Sequence, residues 1–281
     1  MRSPKACGTE MCCGLFWRID ILPGCDTLGK KSRLRKGNDM ATWVTHLIIA
    51  DEILKRLPGI HRRGFCVGSI APDCNQENAD WTAYEPPKEV THWMTGLRKM
   101  LGDADRFCAE VVENCRAEVG SEEYGFLLGY YALLLTDASY ERMAHDEIRL
   151  RAAWARIREN EALRAASIGM EETWDSIKTL ITRREIKRSS QWYEAEYLQE
   201  HPQSGYLTEI LTLKKFPVYL DYLPAGSIVR KIGVMGKVPE MRGEEPAWIA
   251  ISREEYADYI GGCVSLIIEC ICGKKLLENR F

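Results

Sequence analysis

The sequence predicts an all-α fold, a multi-helix bundle followed by an irregular C-terminal extension. From Met40 onward, apolar residues recur at the three- and four-residue spacing of amphipathic helices. The segment FLLGYYALLL, residues 126–135, is apolar on nearly every side, which is typical of a helix at the centre of a bundle. Prolines and glycines break this helical pattern mainly between residues 199 and 250.

Local signals position the predicted helices in order. The first covers residues 42–57, where His46 shares the inner face with apolar residues and Pro58-Gly59 ends the helix. A further helix begins near His92, with its start signalled by Thr91 or by the preceding Pro86-Pro87. The central helix covers about 124–137 and ends by bringing Asp137 into the interior. The remaining helices are predicted at about 141–165, at about 171–198 and, after the capping box of Ser252 and Glu255, at 253–274, while residues 223–236 fit a short strand pair.

Composition divides the chain into three parts. Residues 1–39 combine four cysteines with the basic run KKSRLRK and lack the apolar core of a signal peptide, so they are predicted to be a flexible leader. Met40 is an alternative start. Residues 40–165 form the predicted metal-binding helical core, and residues 166–281 form a mostly helical extension packed on that core.

Charge and cysteine content limit the partners and the compartment. A formal net charge of −3 argues against the whole chain as an electrostatic partner of duplex nucleic acid or anionic lipid. Eleven cysteines, scattered along 281 residues without a secretory segment, favour reduced thiols and a cytoplasmic location. The apolar run at 264–269 is too short to cross a bilayer, so no transmembrane segment is expected.

Four polar residues fall at positions that the pattern predicts to be buried: His46, Asp73, His92 and Asp137. Taken singly, each has an ordinary structural role, such as a satisfied core histidine or an aspartate that caps a turn. Together they are the imidazole and carboxylate ligands that zinc and similar divalent ions accept. A buried polar group must also be hydrogen-bonded, paired or metal-bound, because leaving it bare costs several kcal/mol.

Four segments carry a resemblance to a known family: THLIIADEIL at 45–54, GFCVGSIAPDCN at 64–75, VTHW at 90–93 and FLLGYYALLLTD at 126–137. In order and spacing they resemble the zinc-dependent phospholipase C family, all-helical phosphodiesterases related in fold to nucleases of the S1/P1 type. The resemblance covers about residues 40–140. It implies one to three zinc ions, a phospholipid or another phosphodiester as substrate, and His46, Asp73, His92 and Asp137 as metal ligands, with Asp137 able to bridge two ions.

The sequence departs from the family pattern in the central helix. Family members usually carry a His one turn before the final Asp, whereas this chain has Leu133 before Asp137. Leu133 cannot bind a metal, so the implied site has lost one ligand. On the remaining ligands, a bound ion would lower the pKa of a water and polarise the phosphoryl oxygen, and Asp73 is the candidate catalytic residue that orients that water.

Three hypotheses for function follow. The first is a zinc-dependent phosphodiester hydrolase resembling phospholipase C, impaired by Leu133. The second is an inactive relative that keeps the fold and acts as a binding module. The third is a phosphohydrolase of the HD type that uses His145 and Asp146 with His92 or His46, although the charged pattern of residues 141–151 favours a solvated helix face there.

Overall fold

A computed structural model describes residues 42–80 and 82–278, and it confirms the all-α prediction, with 61% helix and 2% strand. The predicted leader, residues 1–39, lies outside the described residues. The described part belongs to one compact unit, Asn38–Phe281. Its helices are α1 (Trp43–Arg56), α2 (Arg62–Gly68), α3 (Lys88–Thr91), α4 (Leu101–Phe107), α5 (Glu122–Ala144), α6 (Glu147–Glu159), α7 (Glu161–Ala166), α8 (Trp174–Leu180), α9 (Arg183–Glu200), α10 (Ser227–Met235) and α11 (Arg253–Gly273).

Helix α5 is the central element, and it packs against α1, α2, α4 and α11. Its closest neighbour is α2, because glycines face backbone on both sides of the contact. A Cβ on Gly68 would lie 2.1 Å from the carbonyl oxygen of Phe126, and a Cβ on Gly129 would lie 2.1 Å from that of Phe65. Only glycine permits this approach. The close contact holds the turn that follows α2 beside α5.

The central helices differ in their bounds from the sequence prediction. The prediction ended the central helix at Asp137, but α5 continues to Ala144, so Asp137 lies inside the helix rather than at its end. Asp146 then starts α6, because its carboxylate accepts a hydrogen bond from the backbone N–H of Arg149. The helix predicted at 171–198 is likewise two helices, because Thr182 caps a new start at α9.

The strand pair predicted at 223–236 is wrong. Residues Ser227–Met235 form α10, which buries Ile228 and Ile232 one turn apart on its inner face. The two-stranded sheet of the described chain lies elsewhere, where β1 (Gln76–Glu77) pairs antiparallel with β2 (Tyr84–Glu85). The β-branched residues of 228–232 favour a strand by propensity, but their three- and four-residue spacing suits a helix that covers the core.

Helix α11 begins at the predicted capping box, in which Ser252 and Glu255 each accept a hydrogen bond from the other's backbone N–H. It packs on α1 and α5. By length and composition alone, it is the one helix among residues 42–80 and 82–278 able to cross a membrane, and 39% of its apolar window is buried in the fold. The expected absence of a transmembrane segment therefore stays a prediction.

Candidate functional site

The four residues singled out in the sequence lie together in the interior. His46 is on the first turn of α1, Asp73 ends the 3₁₀ turn Ala71–Asp73, His92 follows the last residue of α3, and Asp137 is on α5. Their exposed fractions are 2%, 9%, 1% and 2%. Residues up to 91 positions apart in the chain thus share one buried cluster, called here the Asp137 cluster.

Asp137 is the hub of this cluster. Its Oδ1 lies 3.6 Å from His46 Nε2, and its Oδ2 lies 3.6 Å from His92 Nε2. His92 Nε2 also lies 3.4 Å from Asp73 Oδ1. These separations are longer than good N–H···O hydrogen bonds, which span about 2.7–3.2 Å. The side chains therefore face one another without being bonded to one another.

Lys99 is the member of the cluster that the sequence did not indicate. Its Nζ lies 2.5 Å from Asp137 Oδ2, and only 9% of the residue is exposed. Of the two predicted helix starts near His92, the one after Pro86-Pro87 is confirmed, since α3 begins at Lys88, but α3 ends at Thr91 and an irregular segment follows it. This segment turns Lys99 inward. The run LRKM, residues 97–100, did not predict a buried lysine, since lysines in such a run usually face solvent.

Hydrogen bonds define the orientation of the His92 ring. Its Nδ1 lies 3.2 Å from the carbonyl oxygen of Lys88 and 3.0 Å from the hydroxyl oxygen of Thr91. Because a carbonyl can only accept, Nδ1 carries the proton, and Nε2 of the neutral ring presents a lone pair to Asp73 and Asp137. Metal-binding histidines are commonly oriented by such a bond to a backbone carbonyl.

Burial sets the charge states of the cluster. It lowers the pKa of both His46 and His92, and the nearby Lys99 ammonium lowers the pKa of His92 further. Both rings are therefore neutral near pH 7, the form that binds metals. Burial alone would raise the pKa of Asp73, but positive charge beside it, from His92 when its ring is protonated at low pH and from the Lys99 ammonium, holds that pKa below the usual carboxyl range.

The cluster contains buried donor atoms of the kind that bind a cation. His46 Nδ1 and Nε2, His92 Nε2 and Asp137 Oδ1 are buried and make no hydrogen bond to the residues that the structure describes. A tetrahedral zinc ion with ligands at about 2.1 Å separates its donor atoms by roughly 3.4 Å, close to the separations found here. Even so, within 42–80 and 82–278 no group of three or more His, Cys, Asp or Glu side chains is arranged so that it could hold a metal ion. The residue types suit zinc. The observed distances join them in pairs, His46 with Asp137, His92 with Asp137 and His92 with Asp73.

Asp73 connects the cluster to a cavity of about 800 Å³. Of the four candidate ligands it is the most exposed, and it lines the cavity wall together with Trp43. The Trp43 indole N–H donates to Asp73 Oδ2 at 3.2 Å, which leaves Oδ1 directed to His92. A water molecule in the cavity would therefore meet Asp73 before any other acid of the cluster.

Two other positions that the sequence singled out are Leu133 and the His145-Asp146 pair. Leu133 is fully buried one turn before Asp137 on α5, among the residues of the apolar core. His145 follows the last residue of α5, and its Nδ1 lies 2.8 Å from the carbonyl oxygen of Glu141. Asp146 caps α6. The His145-Asp146 pair therefore makes the contacts of a helix junction.

The fold and the cluster define a class, an α-helical protein with a buried centre of two histidines, two aspartates and a lysine. Comparisons with protein-family models, with curated proteins and with solved structures found no match to this chain. The resemblance to zinc-dependent phospholipases C therefore rests on the sequence segments alone.

Proposed function

We propose that this chain is a divalent-metal-dependent phosphodiester hydrolase in which His46, Asp73, His92 and Asp137 hold zinc. The observation that carries the proposal is the set of unsatisfied, mutually facing donor atoms around Asp137. Leaving such atoms buried and bare is costly, and a cation between them would remove that cost. The same four residues are the ligands implied by the family resemblance.

The roles of the individual residues follow from their positions. When bound, zinc supplies a Lewis acid that polarises the phosphoryl oxygen and lowers the pKa of a water. Asp73 faces the cavity, so it orients the attacking water and accepts its proton, while the Trp43 indole fixes the carboxylate. Lys99 brings a positive charge beside Asp137, available to a phosphoryl oxygen that gains charge during the reaction.

Lys99 also favours a second candidate function, that of a binding module without turnover. Its ammonium already neutralises Asp137 Oδ2, the position at which a metal would compete. Leu133 in turn takes the place of one family ligand. A chain in which Lys99 permanently substitutes for the cation would keep the bundle and the cavity but bind no metal.

Zinc content and turnover, measured together, separate these two functions. The full chain, purified without chelator and dialysed against zinc, is analysed for metal and assayed with bis(p-nitrophenyl) phosphate. The hydrolase proposal expects about one or more zinc per chain, loss of zinc and turnover in His46→Ala, and faster turnover in Leu133→His, which restores the family imidazole. A well-folded wild type without zinc and without turnover would overturn it in favour of the binding module.

A further inference from the structure

We propose that Glu194 is the general acid of the hydrolase, giving its proton to the leaving oxygen of the phosphodiester while Asp73 accepts the proton of the attacking water. This inference rests on the proposed function. It adds a catalytic residue from α9, far along the chain from the segments that resemble the family. It also adds the substrate class that needs such a residue, phosphodiesters with an alkyl leaving group.

Glu194 and Asp73 line the same cavity of about 800 Å³. Consecutive residues at the start of α1 hold them there. The Thr42 hydroxyl donates to Glu194 Oε1, and the Trp43 indole N–H donates to Asp73 Oδ2 at 3.2 Å. Cavities of roughly 300–1,000 Å³ take small-molecule ligands. A diester bound in this cavity can therefore meet both carboxyl groups, which one turn of α1 positions.

The hydrogen bonds of Glu194 show which of its oxygens carries the acid proton. Oε1 accepts the hydroxyl of Thr45 at 2.6 Å, and it accepts the hydroxyl of Thr42 as well. Because Oε1 is the acceptor of two donated protons, the O–H of the neutral acid lies on Oε2. The threonines thus fix the orientation of the carboxyl group. Only 1% of Glu194 is exposed, so bulk water competes little for its proton.

The surroundings of Glu194 keep it protonated into the neutral range. Burial raises its pKa to about 7, although the hydroxyls from α1 and the charge of Lys187 on its own helix lower it. Tyr256 of α11 and Tyr206 also face it. Burial raises the pKa of Tyr206 to about 12 and that of Tyr256 well above 10, so both phenols stay neutral. An acid that loses its proton near the working pH is the most effective proton donor.

Two proton transfers accompany the cleavage. Water attacks phosphorus and the P–O bond to the leaving group breaks, while Asp73 takes one proton from the water and Glu194 gives one to the leaving oxygen. An alcohol and a phosphomonoester are released, and proton exchange with solvent restores both carboxyl groups. An alkoxide is a strong base that departs poorly without this proton, whereas nitrophenolate is a stable anion that departs without it.

Two substrates that differ in the leaving group test this assignment. Bis(4-nitrophenyl) phosphate releases a phenolate, and bis(4-nitrobenzyl) phosphate, with one added CH₂ in each ester, releases an alkoxide. The full chain in zinc buffer is assayed with both from about pH 6 to 9, and chromatography of the released products gives kcat and KM. The variant is Glu194→Gln, and Glu196→Gln is the control. Glu196 lies on the same helix, pairs with Arg253 and is absent from the cavity wall.

We expect Glu194→Gln to lower kcat for the benzyl ester about a hundredfold and kcat for the nitrophenyl ester less than about threefold, with KM little changed. Relative to the nitrophenyl ester, the wild-type rate on the benzyl ester should fall as pH rises above about 7, where Glu194 loses its proton. This fall should vanish in Glu194→Gln. Glu196→Gln should behave as wild type with both esters.

Equal losses on the two esters would show that Glu194 supports the fold alone, and an unchanged rate on the benzyl ester would show that the proton comes from elsewhere. Either result overturns the inference, while turnover of the nitrophenyl ester by wild type sustains the hydrolase proposal. A wild type that cleaves neither ester removes both.

Thr45→Val provides a second variant in case Glu194→Gln fails to fold. It keeps the acid but removes a hydroxyl that lowers the pKa of Glu194, so the fall in rate on the benzyl ester should move to higher pH. A fall that stays at the wild-type pH would contradict the assignment of Glu194 as the proton donor.

Discussion

Two buried aspartates in this protein have opposite surroundings. Asp51, on α1, is 4% exposed, and donors surround its carboxylate. The Ser204 hydroxyl donates to Oδ2 at 2.6 Å, the Gly205 backbone N–H lies 3.0 Å from Oδ1, and the Arg62 guanidinium lies 3.3 Å from Oδ1. These bonds tie α1 to residues 204–205. Asp51 is thus a structural cross-link with its hydrogen bonds made inside the protein.

Asp137 is buried to the same degree, yet its Oδ2 lies 2.5 Å from the Lys99 ammonium, and its Oδ1 makes no hydrogen bond within residues 42–80 and 82–278. The imidazole nitrogens of His46 and His92 that face it are also unsatisfied. A carboxylate whose oxygens accept hydrogen bonds from the protein stabilises the fold. A carboxylate that faces the lone pairs of neutral imidazoles is instead stabilised by a cation between them. This difference distinguishes a structural acid from a binding site more clearly than burial does.

The largest effect is expected from Asp137→Asn. The substitution keeps the size of the side chain but removes the charge that holds the cation, so zinc affinity should fall roughly a thousandfold, since even outer-shell substitutions cost 10–100-fold. Titration with a zinc-buffered chelator measures this. Asp51→Asn is the matched control and should retain wild-type zinc affinity. If both variants lose zinc equally, or neither does, Asp137 and Asp51 do not differ in their effect on zinc binding.

Asp51→Ala should have the next largest effect, on stability rather than on zinc. Removing the carboxylate leaves the Ser204 hydroxyl and the Gly205 N–H without their buried acceptor, which costs roughly 3 kcal/mol of the free energy of unfolding. Urea denaturation of the metal-free protein measures the loss. A loss below about 1 kcal/mol would mean that water replaces these bonds and that Asp51 is no cross-link.

Glu194 is a third buried acid, and its carboxyl is partly protonated near neutral pH. Burial raises its pKa from 4.5 to about 7 despite the hydroxyls of Thr42 and Thr45 and the nearby Lys187 charge, which lower it. The folded state therefore keeps this proton to higher pH than the unfolded state. Its contribution to the free energy of unfolding should decline as pH rises from 4.5 to 7, by up to about 3 kcal/mol, and then level off.

Denaturation of wild type and Glu194→Gln at several pH values isolates this contribution. The glutamine has no proton to lose, so the stability of the variant relative to wild type should increase between pH 4.5 and 7. A pH-independent difference between the two proteins would show that Glu194 titrates normally in the fold.

The smallest effect is expected from Lys99→Met. The ammonium competes with a metal for Asp137 Oδ2, so its removal should raise zinc affinity about tenfold. Lys55→Met is the control, because the exposed Lys55 ammonium pairs with Glu52 Oε1 at 2.6 Å, and its removal should change zinc affinity less than twofold. Weaker zinc binding by Lys99→Met would indicate that Lys99 supports the site instead of competing for it.

The sequence predicted those elements whose signals are local and strong. Helix α1 appears within a residue of its predicted bounds, and α11 begins at its predicted capping box. The buried positions of His46 and Asp137 followed from helical periodicity, since each lies among apolar residues of one helix. The convergence of the four polar residues came from the family resemblance, and no local pattern encodes it.

The failures have physical reasons. The apolar run of residues 126–135 ends just before Asp137, so the central helix was predicted to end there, but burial of Ala138, Tyr140 and Ala144 against the core carries α5 onward. Lys99 was missed because its position depends on the irregular segment after α3, where Trp93 adopts a positive φ of 55°. Tertiary packing decides such a backbone, and local propensity does not contain it.

Anomalous difference density at the zinc absorption edge, in crystals of the full chain soaked with zinc, shows directly whether the Asp137 cluster holds zinc. We predict a peak about 2.0–2.2 Å from His46 Nε2, His92 Nε2 and a carboxylate oxygen of Asp137, with the Lys99 ammonium displaced from that carboxylate. Density without any peak there, and with Lys99 still paired to Asp137, would contradict it.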